Sequence, residues 1–150
     1  MNFKRIIVVF ELNYSFKQQV HQVLMISLDE IPVINWPDKS GEFKFVQLEV
    51  LNNLFLRFEV KRPDFHIYIL RDFLTELNLP IIKTRSESGT RIIEPKGENY
   101  LVSGMGIADV YLEEKRIDFL GKSMDYKLAV NNDHIDKINL LFPDWKFRHL

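Results

Sequence analysis

The chain has 150 residues, 46% apolar and 27% charged, which is the size and balance of one globular domain over 1–150. Twenty Lys and Arg stand against 21 Asp and Glu, spread evenly between the halves, so bulk attraction to nucleic acid or an anionic membrane is excluded and only local patches remain. The absence of cysteine excludes disulfides, thiolate metal sites and cysteine nucleophiles, and fits a reducing, cytoplasmic compartment.

Residues 3–12 read as a strand. The run from Ile6 to Phe10 lacks alternation, which predicts burial of both faces and a central place in a sheet. Stopped by Glu11, it is too short for a signal-peptide core or a membrane span. Ser15 and Gln18 have the spacing of a capping box. Phe16, Val20, Val23, Leu24, Leu28 and Ile31 then recur at helical spacing. Together they predict a helix over 15–30, ended before Pro32.

Asn35, Pro37, Asp38, Ser40 and Gly41 mark a loop. Residues 43–50 and 54–61 alternate as a hairpin. Pairing Val50 with Leu54, Leu48 with Leu56 and Val46 with Phe58 gathers the aliphatic positions on one face. That register needs a three-residue loop, Leu51-Asn52-Asn53, with an asparagine in the left-handed conformation. The reverse face then carries Phe45, Gln47, Glu49, Phe55, Arg57 and Glu59. Pro63 and Asp64 suit a helix start, and Ile67, Leu70, Leu74 and Leu77 form its stripe. Asn78 and Pro80 end it, Ile81-Ile82 open another strand, and the polar stretch 83–91 reads as a mobile loop.

Pro95 to Asn99 is a second turn region. From Tyr100 short strands are expected over 100–103, 107–113, 116–120 and 126–130, with Glu114-Lys115 at a hairpin tip. Asn131 or Asn132 caps a last helix over 133–142, with Ile135, Ile138 and Phe142 inward. Pro143 ends it, and Trp145-Lys146-Phe147 form a closing strand. The expected class is α+β, a mixed or antiparallel sheet with three helices. The order over 3–84 is βαββαβ, the ferredoxin-like arrangement, and the stretch 90–150 extends it by a meander plus helix.

Motifs for chemistry are sparse. Gly104-Met105-Gly106 lacks the third glycine of a dinucleotide fingerprint, since Asp109 stands there, and reads as a bulge or tight turn. Asp109, Glu113 and Asp118 are weak metal candidates within an acidic stretch that includes Glu114 and Asp125. His21, His66, His134 and His149 show no metal-ligand spacing, and His134 reads as a surface histidine. Phe45, Phe55 and Arg57, with Lys83, Arg85, Arg91 and Lys96, make an aromatic and basic set suited to nucleic acid. Trp36 and Trp145 are anchor-type residues for an interface.

The reading these features support is a protein-binding module, such as a small inhibitor, immunity or adaptor protein. Its candidate binding residues are Trp36, Phe45, Phe55, Arg57, Arg85, Arg91 and Trp145, with no catalytic residue and no cofactor. Two alternatives are a nucleic-acid-binding domain using the aromatic face and the 83–96 loop, and a small Mg-dependent phosphoryl hydrolase. A membrane partner is not expected.

Overall fold

The computed structural model describes residues 5–13, 19–59, 66–95, 97 and 100–150. β1 (Arg5–Asn13) pairs antiparallel with β2 (Gln19–Ser27), with Arg5 opposite Ser27 and Asn13 opposite Gln19. This corrects the helix expected over 15–30. Val20, Val23 and Leu24 fit a helical stripe, but Val23-Leu24-Met25-Ile26 is also a continuous, partly branched apolar run that suits a strand. Cross-strand pairing overrides the local periodicity. Ser15 and Gln18 lie outside the described residues. Without that helix the ferredoxin-like order is lost, and β1, expected at the centre of the sheet, pairs only with β2 among the described residues.

A 3-10 turn, Leu28–Glu30, follows. The remaining elements are β3 (Gly41–Val50), β4 (Asn53–Phe58), α1 (His66–Glu76), β5 (Ile81–Arg85), β6 (Arg91–Pro95), β7 (Tyr100–Tyr111), β8 (Arg116–Leu120), β9 (Lys122–Ser123), β10 (Leu128–Ala129), α2 (Asn132–Leu141) and β11 (Lys146–His149). Five of them form a mixed sheet in the order β11-β8-β7-β3-β4. Only β11 runs parallel to its neighbour, β8, and the connection between them carries α2, as a parallel pair requires a crossover. Asn131 caps α2, its side chain accepting the His134 N–H. The class is therefore α+β, with two α-helices among the described residues where three were expected.

The β3–β4 register also differs from the expected one. Leu51 and Asn52 both have positive φ, 46° and 65°, and make a two-residue turn. Val50 then faces Asn53, Leu48 faces Phe55 and Val46 faces Arg57. The Asn53 amide steadies the turn by donating to the carbonyls of Val50 and Leu51 at 3.2 and 3.0 Å. Alternation could not reveal this register because both faces of the sheet are buried. Val46, Leu48, Val50 and Phe55 pack with Leu70, Phe73 and Leu74 of α1. Phe43, Phe45, Leu56, Phe58 and Phe119 pack with Ile135 and Ile138 of α2. Each such fully buried side chain contributes about 1.5–3 kcal/mol.

Two further expectations are corrected. The stretch 83–91 is not a loop: β5 and β6 form a hairpin closed by Ser86–Thr90, with Gly89 at φ 86°. The strands expected at 100–103 and 107–113 are one strand, β7, whose register against β3 slips between Gln47 and Leu48. That slip sits beside Gly104, where a bulge was expected, while Gly106 pairs in register with Phe45. Gly106 has its own reason, since an added Cβ would meet the Leu120 carbonyl at 2.5 Å. No helix among the described residues is long and apolar enough to cross a membrane.

Candidate functional site

The β5–β6 ribbon is anchored through β6. Ile92 and Ile93 are buried, while Ile82 to Arg85 of β5 are exposed. The Tyr126 hydroxyl donates to the Ile93 carbonyl at 2.8 Å and accepts the Ile93 N–H at 3.0 Å, which ties the turn after β9 to the ribbon. Burial pushes this phenol up to about 12, so it stays protonated. Between the ribbon, the start of α1, the sheet and the 122–126 turn lies a cleft of about 1220 Å³.

Isoleucines make much of its floor: Ile67, Ile81, Ile93 and Ile107. Its cations are Lys44, Arg71, Lys83, Arg85, Arg91 and Lys122, and its one carboxylate among the described lining residues is Asp125. Asp125 accepts from the hydroxyls of Ser86 and Ser88 at 3.5 and 3.2 Å. Arg85 faces Arg91 across the ribbon, and Lys83 lies two residues along on the same face. Like charges placed directly opposite destabilise a strand pair. Arg85 donates to the Gly89 carbonyl at 2.8 Å, and no carboxylate pairs with Lys83, Arg85 or Arg91 among the described residues.

His66 lies at the edge of the floor, buried, with Nε2 2.9 Å from the Gly106 carbonyl. Burial lowers its pKa first, and the Gly106 hydrogen bond acts against that shift. The neutral ring therefore donates from Nε2 and keeps Nδ1 as an acceptor.

The structure brings Arg85 and Arg91 together in this cleft and disperses the other expected site residues. Phe45 and Phe55 are 0% and 2% exposed and lie on opposite faces of the sheet, so neither offers a ring to a ligand. Arg57, 4% exposed, lies with its guanidinium 4.3 Å from the Phe73 ring centroid and donates to the Val33 and Pro32 carbonyls. Burial pulls its pKa down to about 10. It pins the 32–33 segment to β4 and does not line the cleft. Trp36 and Trp145 pack on each other with ring centroids 4.5 Å apart, beside Phe142 and Phe147 in the α2-side core.

Asp109 and Asp118 are cross-strand partners, but Glu113 is exposed in the turn after β7. Asp118 accepts two bonds from Arg148 at 2.7 and 2.6 Å, and Arg116 approaches at 3.4 Å. The Arg148 hydrogen bonds hold its carboxyl below the usual carboxylate range. Among the described residues no group of three or more His, Asp or Glu could hold a metal ion. His134, expected on the surface, is 2% exposed, with Nδ1 2.8 Å from the Ser103 hydroxyl. Lys96 lies outside the described residues.

Sequence reasoning missed Lys44, His66, Arg71, Lys122 and Tyr126 as members of one site. They come from three separate stretches, β3, α1 and the 122–126 segment, and only the fold joins them. The alternation Ile81, Lys83, Arg85 was a legible signal of a strand with one basic face. No protein-family model matches the chain, and no curated protein matches it.

Proposed function

We propose that the protein is a non-catalytic binding module of inhibitor, immunity or adaptor type, and that the basic cleft holds its protein partner. One observation carries this reading. A chain of net charge −1 gathers six cations around one cleft lined by a single carboxylate, and while Arg71 meets Asp72 at 3.8 Å, no carboxylate pairs with Lys83, Arg85 or Arg91 among the described residues. Such segregation raises association rates with a complementary surface and selects among partners more than it stabilises the fold. The isoleucine floor supplies apolar area that a protein side chain can cover.

A second reading, nucleic-acid binding, is favoured by the same cations but not by Phe45, Phe55 or Arg57, which are interior. The two separate in one experiment: a pull-down of the tagged chain from its native extract, with and without nuclease. The parallel sample is the double variant Arg85→Glu/Arg91→Glu. A stoichiometric protein that survives nuclease and is lost with the double variant supports the proposal. Recovery of nucleic acid alone, or a partner retained by the double variant, overturns it.

A further inference from the structure

The outer edge of β5 is the part of the cleft that the fold leaves unmatched. The Ser86 N–H donates to the Thr90 carbonyl at 2.8 Å, which fixes the bonding phase of the ribbon. By antiparallel alternation the Arg85/Arg91 and Lys83/Ile93 pairs then turn their backbone groups outward. On the β6 side those of Ile93 are satisfied, because the Tyr126 hydroxyl takes both its N–H and its C=O. On the β5 side the corresponding groups of Lys83 and Arg85 face an edge where no strand pairs among the described residues.

Side chains repeat the pattern. Lys83 and Arg85 share the cleft face with Arg91, and Ile82, 45% exposed, lies on the reverse face. Exposed edges of this kind invite another strand unless something blunts them. Here the residues along the edge alternate between a cation and a residue of the other face.

We propose, resting on the reading of the cleft as a protein-binding surface, that an extended acidic segment of the partner adds to β5 as a third strand. Its main chain bonds the outward N–H and C=O groups of Lys83 and Arg85. Its carboxylates stand on alternate residues, because same-face side chains of a strand recur about every 7 Å, the spacing of Lys83 and Arg85. The residues between them are apolar and cover Ile82. The recognised chemistry is an alternation of acidic and apolar residues, such as Glu-Val-Glu-Val.

A compact anion is a poorer fit, since it would leave the β5 edge and the exposed Ile82 uncovered. A nucleic acid is also a poorer fit. Unpaired bases stack on flat rings, whereas isoleucines make much of the floor, the Tyr68 ring already carries the Arg71 guanidinium, and the Tyr126 hydroxyl is committed to Ile93.

The test uses the full chain and a fluorescein-labelled peptide of alternating Glu and Val, followed by anisotropy at low salt. Three competitors accompany it: a peptide of the same composition in two blocks, an alternating peptide with N-methylated backbone, and a thymidine oligonucleotide. The alternating peptide is expected to bind, and each of Arg85→Glu and Arg91→Glu to weaken it about tenfold. The block and N-methylated peptides are expected to compete poorly. Thermal melts of both variants confirm folding. Failure of the alternating peptide to bind, equal competition by the block peptide, or tighter binding of the oligonucleotide overturns the proposal. If the double variant loses the native partner while the alternating peptide does not bind, the cleft reading stands and the strand-addition proposal falls. If the partner is retained, both fall.

Discussion

Two groups of arginines in this protein handle charge in opposite ways. On β8 and β11, Arg148 and Arg116 converge on the buried Asp118, and every charge at the centre of that cluster has a partner. On the β5–β6 ribbon, Arg85 and Arg91 face each other with Lys83 alongside, and Asp125 is turned to Ser86 and Ser88. The first arrangement holds two strands of the sheet together and gains nothing from a ligand. The second sets like charges against each other, a small cost that an anion from outside would relieve. A charge cluster is thus informative about function when the structure fails to neutralise it.

The largest test of this contrast is acid. His134 is held neutral by burial, which pulls its pKa down to about 4, with Lys137 acting in the same direction. The unfolded ring titrates near its ordinary value of 6.5. Protonation therefore favours the unfolded chain. Stability is full above about 6.5, falls as the pH drops towards about 4, and then levels off, with a loss of about 3 kcal/mol. His66 is shifted the same way and adds to the loss. Urea unfolding at pH 7 and pH 4 measures it, and His134→Gln should flatten the curve. Asp118 contributes only at the acid extreme, below its ordinary 3.8, because its folded pKa is depressed. Because His66 also lines the cleft, acid acts on the interior and on the edge of the cleft floor together.

Next comes Asp118→Asn, which leaves Arg148 without its carboxylate. Arg148 is partly exposed and regains water, so a loss of about 2 kcal/mol is expected rather than the roughly 3–5 of a fully buried pair. A fall in melting temperature measures it, and an unchanged value would remove this cluster from the contrast. The ribbon should respond in reverse. Arg91→Glu places a carboxylate opposite Arg85 and is expected to stabilise by about 0.5 kcal/mol. A drop in melting temperature would mean that the ribbon arginines support the fold. The smallest effect is salt: 0.5 M sodium chloride should raise the wild-type melting temperature slightly and leave that of Arg91→Glu unmoved, since screening replaces the missing counter-charge.

How much was legible in the sequence divides along physical lines. The α1 stripe of Leu70, Leu74 and Leu77, the Asn131 cap, the β8 strand and the Lys115 turn were readable because each is a local signal. The strand at 19–27 was not, because Val20, Val23 and Leu24 satisfy two periods at once and only the β1 partner decides between them. The β3–β4 register was hidden by burial on both faces. Arg85 and Arg91 were legible as a basic pair, and their opposition across a ribbon was not, since the Ser86–Thr90 turn was read as part of a loop. Arg57 and Phe55 looked available only because nothing local predicted α1 packing over them.

The position of β3 has a kinetic consequence. Its two neighbours come from very different distances along the chain: Val50 meets Asn53 on one side and Tyr100 on the other. The near pairing closes a tight turn and forms in about 1–10 μs. The far pairing must first overcome the closure entropy of the whole intervening segment. The β3–β4 hairpin is thus expected to be an early intermediate structure and the docking of β7 the slow event. Substitutions in the Leu51-Asn52 turn should change the folding rate, and those at Ile117 chiefly the unfolding rate, as stopped-flow would show. Because Ile107 and the 122–126 turn belong to the cleft, its far wall is built only in that late step. A chain paused before it would lack a complete cleft, so under the proposed function binding would report on finished molecules alone.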